Sequence, residues 1–214
     1  MFAYCGNNPV NVQDPTGHWL EWIVPFIFPF IISGCSKKEP EETNAVVLSN
    51  KSEGFMRTAK IVGKNLAKAI GRSRYRVQAL TDSNYSEVWD GITESYVAIQ
   101  THGSPGGLSG EDFSQRVSQL ERLNKNENIK CLIITACSTG GNNGTSPNVG
   151  QVLSQKIASD GVVVCSTTDV WSGGTNFRAE NGGVWVVYQN GVKIRSTIAS
   201  TITMETAIAL YNFN

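Results

Sequence analysis

Histidine is almost missing from this sequence: of 214 residues only His18 and His102 carry an imidazole. Any histidine-dependent chemistry past the first few tens of residues therefore falls to His102. Charge of one sign is missing too, since 18 Lys and Arg balance 18 Asp and Glu. A basic footprint for nucleic acid and an acidic solvating tail are both excluded, and no nucleic-acid partner is expected. Five cysteines are present, Cys5, Cys35, Cys131, Cys137 and Cys165, but no C-x-x-C pair. Their odd number and wide spacing give no zinc motif, no dithiol redox motif and no disulfide framework. No metal and no cofactor is expected. The loop Gly103-Ser104-Pro105-Gly106-Gly107 lacks both Gly-Lys-Ser/Thr and G-x-G-x-x-G spacing, so it is not read as a phosphate cradle. No apolar run reaches the roughly 20 residues of a membrane span. The longest, 19–32, is interrupted by Pro25 and Pro29.

What is there is a regular alternation. Apolar residues make up 40% of the chain, enough for a real core, and many of the 21 glycines fall in the second half, where tight loops are expected. Short apolar runs at 45–48, 75–80, 95–100, 129–135 and 161–165 read as strands, and helical spacing of apolar residues is found at 55–70, 86–92, 111–123, 149–158 and 203–211. Near the end, 184–188 and 192–194 flank Asn190-Gly191, a strong hairpin signal. Strands alternating with helices imply an α/β fold. We expect a mostly parallel sheet flanked by helices, a C-terminal β-hairpin and an irregular N-terminal segment.

In open α/β sheets, sites form at the carboxyl ends of strands. Two consecutive strands here run into reactive residues, one into His102-Gly103 and the next into Ala136-Cys137. The helix expected at 111–123 would be the crossover that sets them side by side. A thiol with a pKa of about 8.5 is mostly protonated at neutral pH, and a nearby imidazole can take its proton. The N–H groups of Gly103 and Cys137 would serve as oxyanion donors. Cys131 and Cys165 lie inside apolar strands and read as buried thiols.

An apolar strand ending in His102-Gly103, a crossover, and an apolar strand ending in Ala136-Cys137 resembles the signature of caspase-like cysteine peptidases. The resemblance covers roughly residues 45–170. It implies a Cys–His dyad with Cys137 as nucleophile and His102 as general acid/base, acting on a protein or peptide substrate. It also implies that the loop after the fifth strand shapes the substrate pocket, which here means Ser166, Thr167, Asp169 and Trp171, with Asp169 placed to select a basic residue. The chain departs from the family just before the cysteine, where Ile134-Thr135 stand in place of the usual Glu or Gln, and no third catalytic residue is assigned. A deamidase or other amide hydrolase with the same dyad, and a non-catalytic binding domain of the same fold, are the alternatives.

The first residues differ in kind. Tyr4-Cys5-Gly6-Asn7-Asn8-Pro9-Val10-Asn11 and Asp14-Pro15-Thr16-Gly17 are turn chemistry. They resemble the end of the RHS-repeat-associated core, after which polymorphic toxins carry a variable effector domain. This divides the chain into an RHS remnant at 1–18, an apolar segment and charged linker at 19–42, and the α/β domain at 43–214. It also implies an upstream RHS shell, an immunity protein as partner, and secretion or delivery to a target cell. Residues 19–34 could touch a membrane. Ile32-Ser33-Gly34-Cys35 fits a lipoprotein box, which makes a lipid anchor at Cys35 the alternative, although no Lys or Arg precedes the apolar run.

Overall fold

The computed structural model describes residues 45–212, all of which belong to the unit Thr43–Asn214. The expectations for the RHS-like segment, the apolar run and Cys35 lie outside the described residues. In chain order the elements are β1 (Ala45–Asn50), α1 (Glu53–Ala69), β2 (Tyr75–Leu80), α2 (Tyr85–Asp90), β3 (Tyr96–Gln100), β4 (His102–Ser104), β5 (Gly107–Gly110), β6 (Phe113–Arg116) and α3 (Val117–Leu120). There follow β7 (Cys131–Ile134), α4 (Val149–Ser154), β8 (Val162–Ser166), β9 (Val170–Ser172), β10 (Asn176–Ala179), β11 (Trp185–Gln189), β12 (Val192–Ser196), β13 (Thr201–Thr203) and α5 (Met204–Asn212).

The architecture is α/β, as the alternation predicts. A seven-stranded sheet runs in the order β12-β11-β8-β7-β3-β1-β2. The pairs from β2 to β8 are parallel, while β11 and β12 form an antiparallel hairpin at one edge. Asn190 and Gly191 both take positive φ, +48° and +79°, as a two-residue primed turn requires. Burial follows from sequence with period two on both faces. Val46, Leu48, Leu132 and Ile134 enter one apolar cluster; Ala45, Val47, Cys131 and Ile133 enter the other. This double burial is why the parallel strands read as unbroken apolar runs. Ala59, Val62 and Leu66 of α1, with Ala207 and Ile208 of α5, cover one face. Trp89 of α2, Leu120 of α3 and Val152 of α4 help to cover the other. Among the described residues no helix is long and apolar enough to cross a membrane.

The expected helix at 111–123 is a correction. The segment forms β6 and only the short helix α3, and β4, β5 and β6 make a small antiparallel sheet of their own. Phe113 and Gln115 are buried while Ser114 and Arg116 are exposed, which is strand alternation. A positive φ of +56° at Asp112 turns the chain back so that this strand pairs with the glycine-bounded β5. Helical spacing of Val117, Leu120 and Leu123 had masked a strand too short to dominate the window. A second small sheet, ordered β13-β10-β9, follows β8.

One ion pair fastens the amino end of the sheet. Arg76 Nε and Nη2 meet the two carboxylate oxygens of Glu94 at 2.8 and 3.0 Å, and Glu94 is 7% exposed. Burial alone would raise the Glu94 pKa, but the Arg76 hydrogen bonds and charge, with the N–H of Thr93, overcome it and hold the carboxyl below its usual 4.5. The unfolded chain therefore binds this proton more readily. The stabilisation is fully present above about pH 4.5 and is lost as pH falls through the lower folded value. We predict that Arg76→Ala costs roughly 1–2 kcal/mol at pH 7, since the half-exposed guanidinium is partly screened. That difference should shrink in urea melts run toward pH 3; a loss independent of pH would contradict the assignment.

Candidate active site

The sheet sets the site by register. Chain order reverses between β1 and β3, the switch point beside which open α/β sheets place their sites, at the carboxyl ends of the strands. Parallel pairing of β3 with β7 matches Ile99 to Ile134, and Thr135 N–H donates to Ile99 O at 2.9 Å. The same offset places Gln100 beside Thr135, whose hydroxyl bonds to its amide oxygen. Carried two residues further, that offset would bring His102 opposite Cys137, but the pairing of the two strands ends at Ile99 and Ile134, and no hydrogen bond joins the two side chains among the described residues. Beyond this point the strands part: β3 leads into β4, which pairs with β5, and β7 leads into a tight turn at 137–141.

The two loops still touch. A Cβ added at Gly103 would lie 2.7 Å from Cys137 O and 2.8 Å from both Ala136 Cβ and Thr139 Cγ2. Glycine is thus required at 103 for a close backbone approach. Across the contact, the turn at 137–141 is held by hydrogen bonds on several sides. Ser138 N–H donates to Thr168 O (2.7 Å), Gly140 N–H to Ser166 O (2.7 Å) and Gly141 N–H to Ser138 O (2.8 Å). From behind, Tyr188 Oη donates to Gly140 O (3.2 Å) and Asn148 Nδ2 to Gly141 O (3.0 Å). Ser138 sits at φ +53°, an uncommon conformation for a residue with a side chain. The N–H of Cys137, which would be the next rung toward β3, has no acceptor among the described residues.

The cysteines differ in environment. Cys131 and Cys165 are fully buried in β7 and β8; burial pushes the Cys131 thiol up to about 12 and raises that of Cys165 as well. Cys137 is half-buried, and its Sγ accepts a hydrogen bond from Val170 N–H at 3.3 Å. His102 is exposed, and its ring meets that of Phe55 edge to face, with centroids 4.6 Å apart and planes at 69°.

The four residues expected to shape a pocket fall into different roles. Ser166 is fully buried and exchanges hydrogen bonds with Thr168, so its side chain supports the turn and does not line an open pocket. Thr167 bonds to Val184 and lines a polar cavity of about 380 Å³ behind the turn, away from Cys137 and His102. Asp169 is exposed and accepts from Ser138 Oγ at 3.3 Å. Trp171 is 54% exposed, with the Arg178 guanidinium 5.8 Å from its ring centre. Sequence reasoning missed Phe55, read only as the first apolar residue of a helix, and the strand β9 that reaches the thiol through Val170.

No family model matches the chain, and no curated protein matches it. Among solved structures, one named "Structure of Protease" aligns with a TM-score of 0.43 at 14% identity, over 63% of this chain and 31% of that one. The aligned part thus spans under a third of that chain.

Two outcomes are expected from this geometry. Iodoacetamide on the folded full chain should alkylate Cys137 and leave Cys131 and Cys165 untouched until denaturant is added, as read by peptide mass mapping. Equal protection of all three would contradict the half-buried placement. Gly103→Ala should cost about 1–3 kcal/mol in a denaturant melt, because the atom met at 2.7 Å is backbone and cannot swing aside.

Proposed function

We propose that this domain is a caspase-like cysteine peptidase, with Cys137 as nucleophile and His102 as general acid/base, acting as the effector or self-processing domain of an RHS-type toxin. The observation that supports it most is the packing of Gly103 on Cys137 O, which joins the two strand ends while leaving the Cys137 N–H without an acceptor.

In the proposed reaction, His102 takes the thiol proton and the Cys137 sulfur attacks the scissile carbonyl carbon. The carbonyl oxygen gains the electron pair and is met by the Cys137 N–H, with Gly103 as the second proposed donor. Collapse of this intermediate breaks the C–N bond, and His102 returns the proton to the leaving amine, giving a thioester. Water then attacks the thioester, with His102 as base, and releases the acid and the thiol. Strand β9 offers a platform for the substrate. It lies at the outside of its three-stranded sheet, and its Val170 N–H reaches the thiol. An extended peptide can pair along such an edge. Asp169, exposed beside Ser138, would receive a basic side chain at the residue before the cut.

The RHS context rests on residues 2–17 alone. It makes the expected setting a delivered bacterial protein with a cognate immunity protein.

Cys137→Ala and His102→Ala in the full chain should each abolish self-cleavage, hydrolysis of a peptide library and toxicity on expression, with melting temperature retained. Wild-type behaviour of both variants would sink the enzymatic reading. Toxicity that depends on Cys137 without any peptide cleavage would instead support hydrolysis of a side-chain amide on a target protein. Asp169→Asn should lower kcat/KM about 10-fold for substrates with Arg or Lys before the cut and leave others unchanged.

A further inference from the structure

A general acid/base histidine must be held in one orientation, and the usual device is a hydrogen bond from its second ring nitrogen to a carboxylate or carbonyl. His102 has no such bond among the described residues: its recorded side-chain contact is the ring of Phe55, in the first turn of α1. Phe55 and His102 sit on different elements, so their meeting depends on how α1 is docked against the small sheet β4-β5-β6.

One buried side chain controls that docking. Asn50, the last residue of β1, is 2% exposed. Its Oδ1 accepts from Ser52 N–H at 3.1 Å, just ahead of α1, and from Glu111 N–H at 3.0 Å, just after β5. Gly110 lies directly on the amide, since a Cβ there would be 2.5 Å from Asn50 Cγ. Strand β5 is the strand that pairs with β4, with Ser109 opposite His102. A single amide oxygen therefore ties the helix that carries Phe55 to the sheet that carries His102. An ion pair between Lys51 and Asp112 spans the same junction.

We propose that Phe55 is a positioning residue for His102, clamped in place by Asn50, so that an aromatic ring fills the orienting role that a carboxylate or carbonyl would otherwise have. This rests on the reading of His102 as the acid/base of the site. An exposed imidazole free to rotate would spend most of its time facing away from Cys137. The edge-to-face contact with the half-buried ring of Phe55 removes those alternatives.

The test uses the full chain and the best fluorogenic peptide that the wild type cleaves. Phe55→Leu should lower kcat about 10- to 100-fold with KM within twofold, and Phe55→Tyr should restore most of it. Asn50→Ala should lower kcat in the same way, and the double variant should lose no more than the worse single one, because both act on one ring. The His102 ring-proton resonances, identified by their loss in His102→Ala, should shift in Phe55→Leu as the ring current of Phe55 is removed. Wild-type kcat in Phe55→Leu while His102→Ala is inactive would overturn the positioning role alone. Activity in His102→Ala would overturn the acid/base reading beneath it. A loss in Phe55→Leu that Tyr does not restore, together with a lowered melting temperature, would mark Phe55 as merely structural and also overturn the proposal.

Discussion

The register between β3 and β7 is the constraint on which the site depends. Both strands are buried on both faces, so hydrophobicity alone would tolerate a slip along the strands. The polar residues at their carboxyl ends would not. Thr135 spends its hydroxyl on Ile99 O, at 3.0 Å, and on the amide oxygen of Gln100, and all of these atoms are buried. A slip would leave them unpaired in the interior, at about 1–3 kcal/mol for each group. The polar end thus pins the register, and the register brings the strand ends that lead into His102 and Cys137 side by side. The chemistry proposed for the pair is a consequence of where two apolar strands stop.

Behind that register stand two supports of different kinds. The cysteine side is a turn whose N–H and C=O groups are bound to β8, to Asn148 at the cap of α4 and to Tyr188 on β11. It is anchored in the main sheet on several sides. The histidine side is lighter: a three-residue strand in a small sheet, tied to the rest by Gly103 against the turn and by Asn50 at the end of β1. Such an arrangement fixes Cys137 more firmly than His102.

Much of this could be read from the residues. The strands at 45–48, 129–135 and 161–165 are apolar without interruption because they are covered twice, and nothing else in the chain competes with that reading. His102 stood out because no other histidine is near, and Cys137 because it falls at the end of its strand before a polar, glycine-rich turn, while Cys131 and Cys165 fall inside apolar runs. The small sheets were not legible. Strands β4, β9 and β13 have three residues each, too few for a period to show, and β6 shares its apolar residues with the start of a helix. The roles of Asn50 and Phe55 were hidden for another reason: they arise from contacts about 50–60 residues apart in sequence, which local pattern does not carry. Ser166 illustrates the converse, since a polar residue just past an apolar strand looks accessible yet lies fully buried beneath the turn.

The turn after β7 also has an energetic signature. A serine at φ +53° is less favourable than a glycine would be, by about 1 kcal/mol, and a half-buried N–H with no acceptor adds a further cost of similar order. A turn selected only for stability would place glycine at 138, as the chain does at the positive-φ positions 144, 174 and 182. Instead the strained residue is held by Thr168 O and Asp169, and the rung stays open at the residue that carries the half-buried thiol. Strain kept in place by surrounding bonds, next to the proposed nucleophile and an unused donor, is the pattern expected where a backbone N–H is reserved for a developing oxyanion. That coincidence of cost and position is what the role proposed for Cys137 would require.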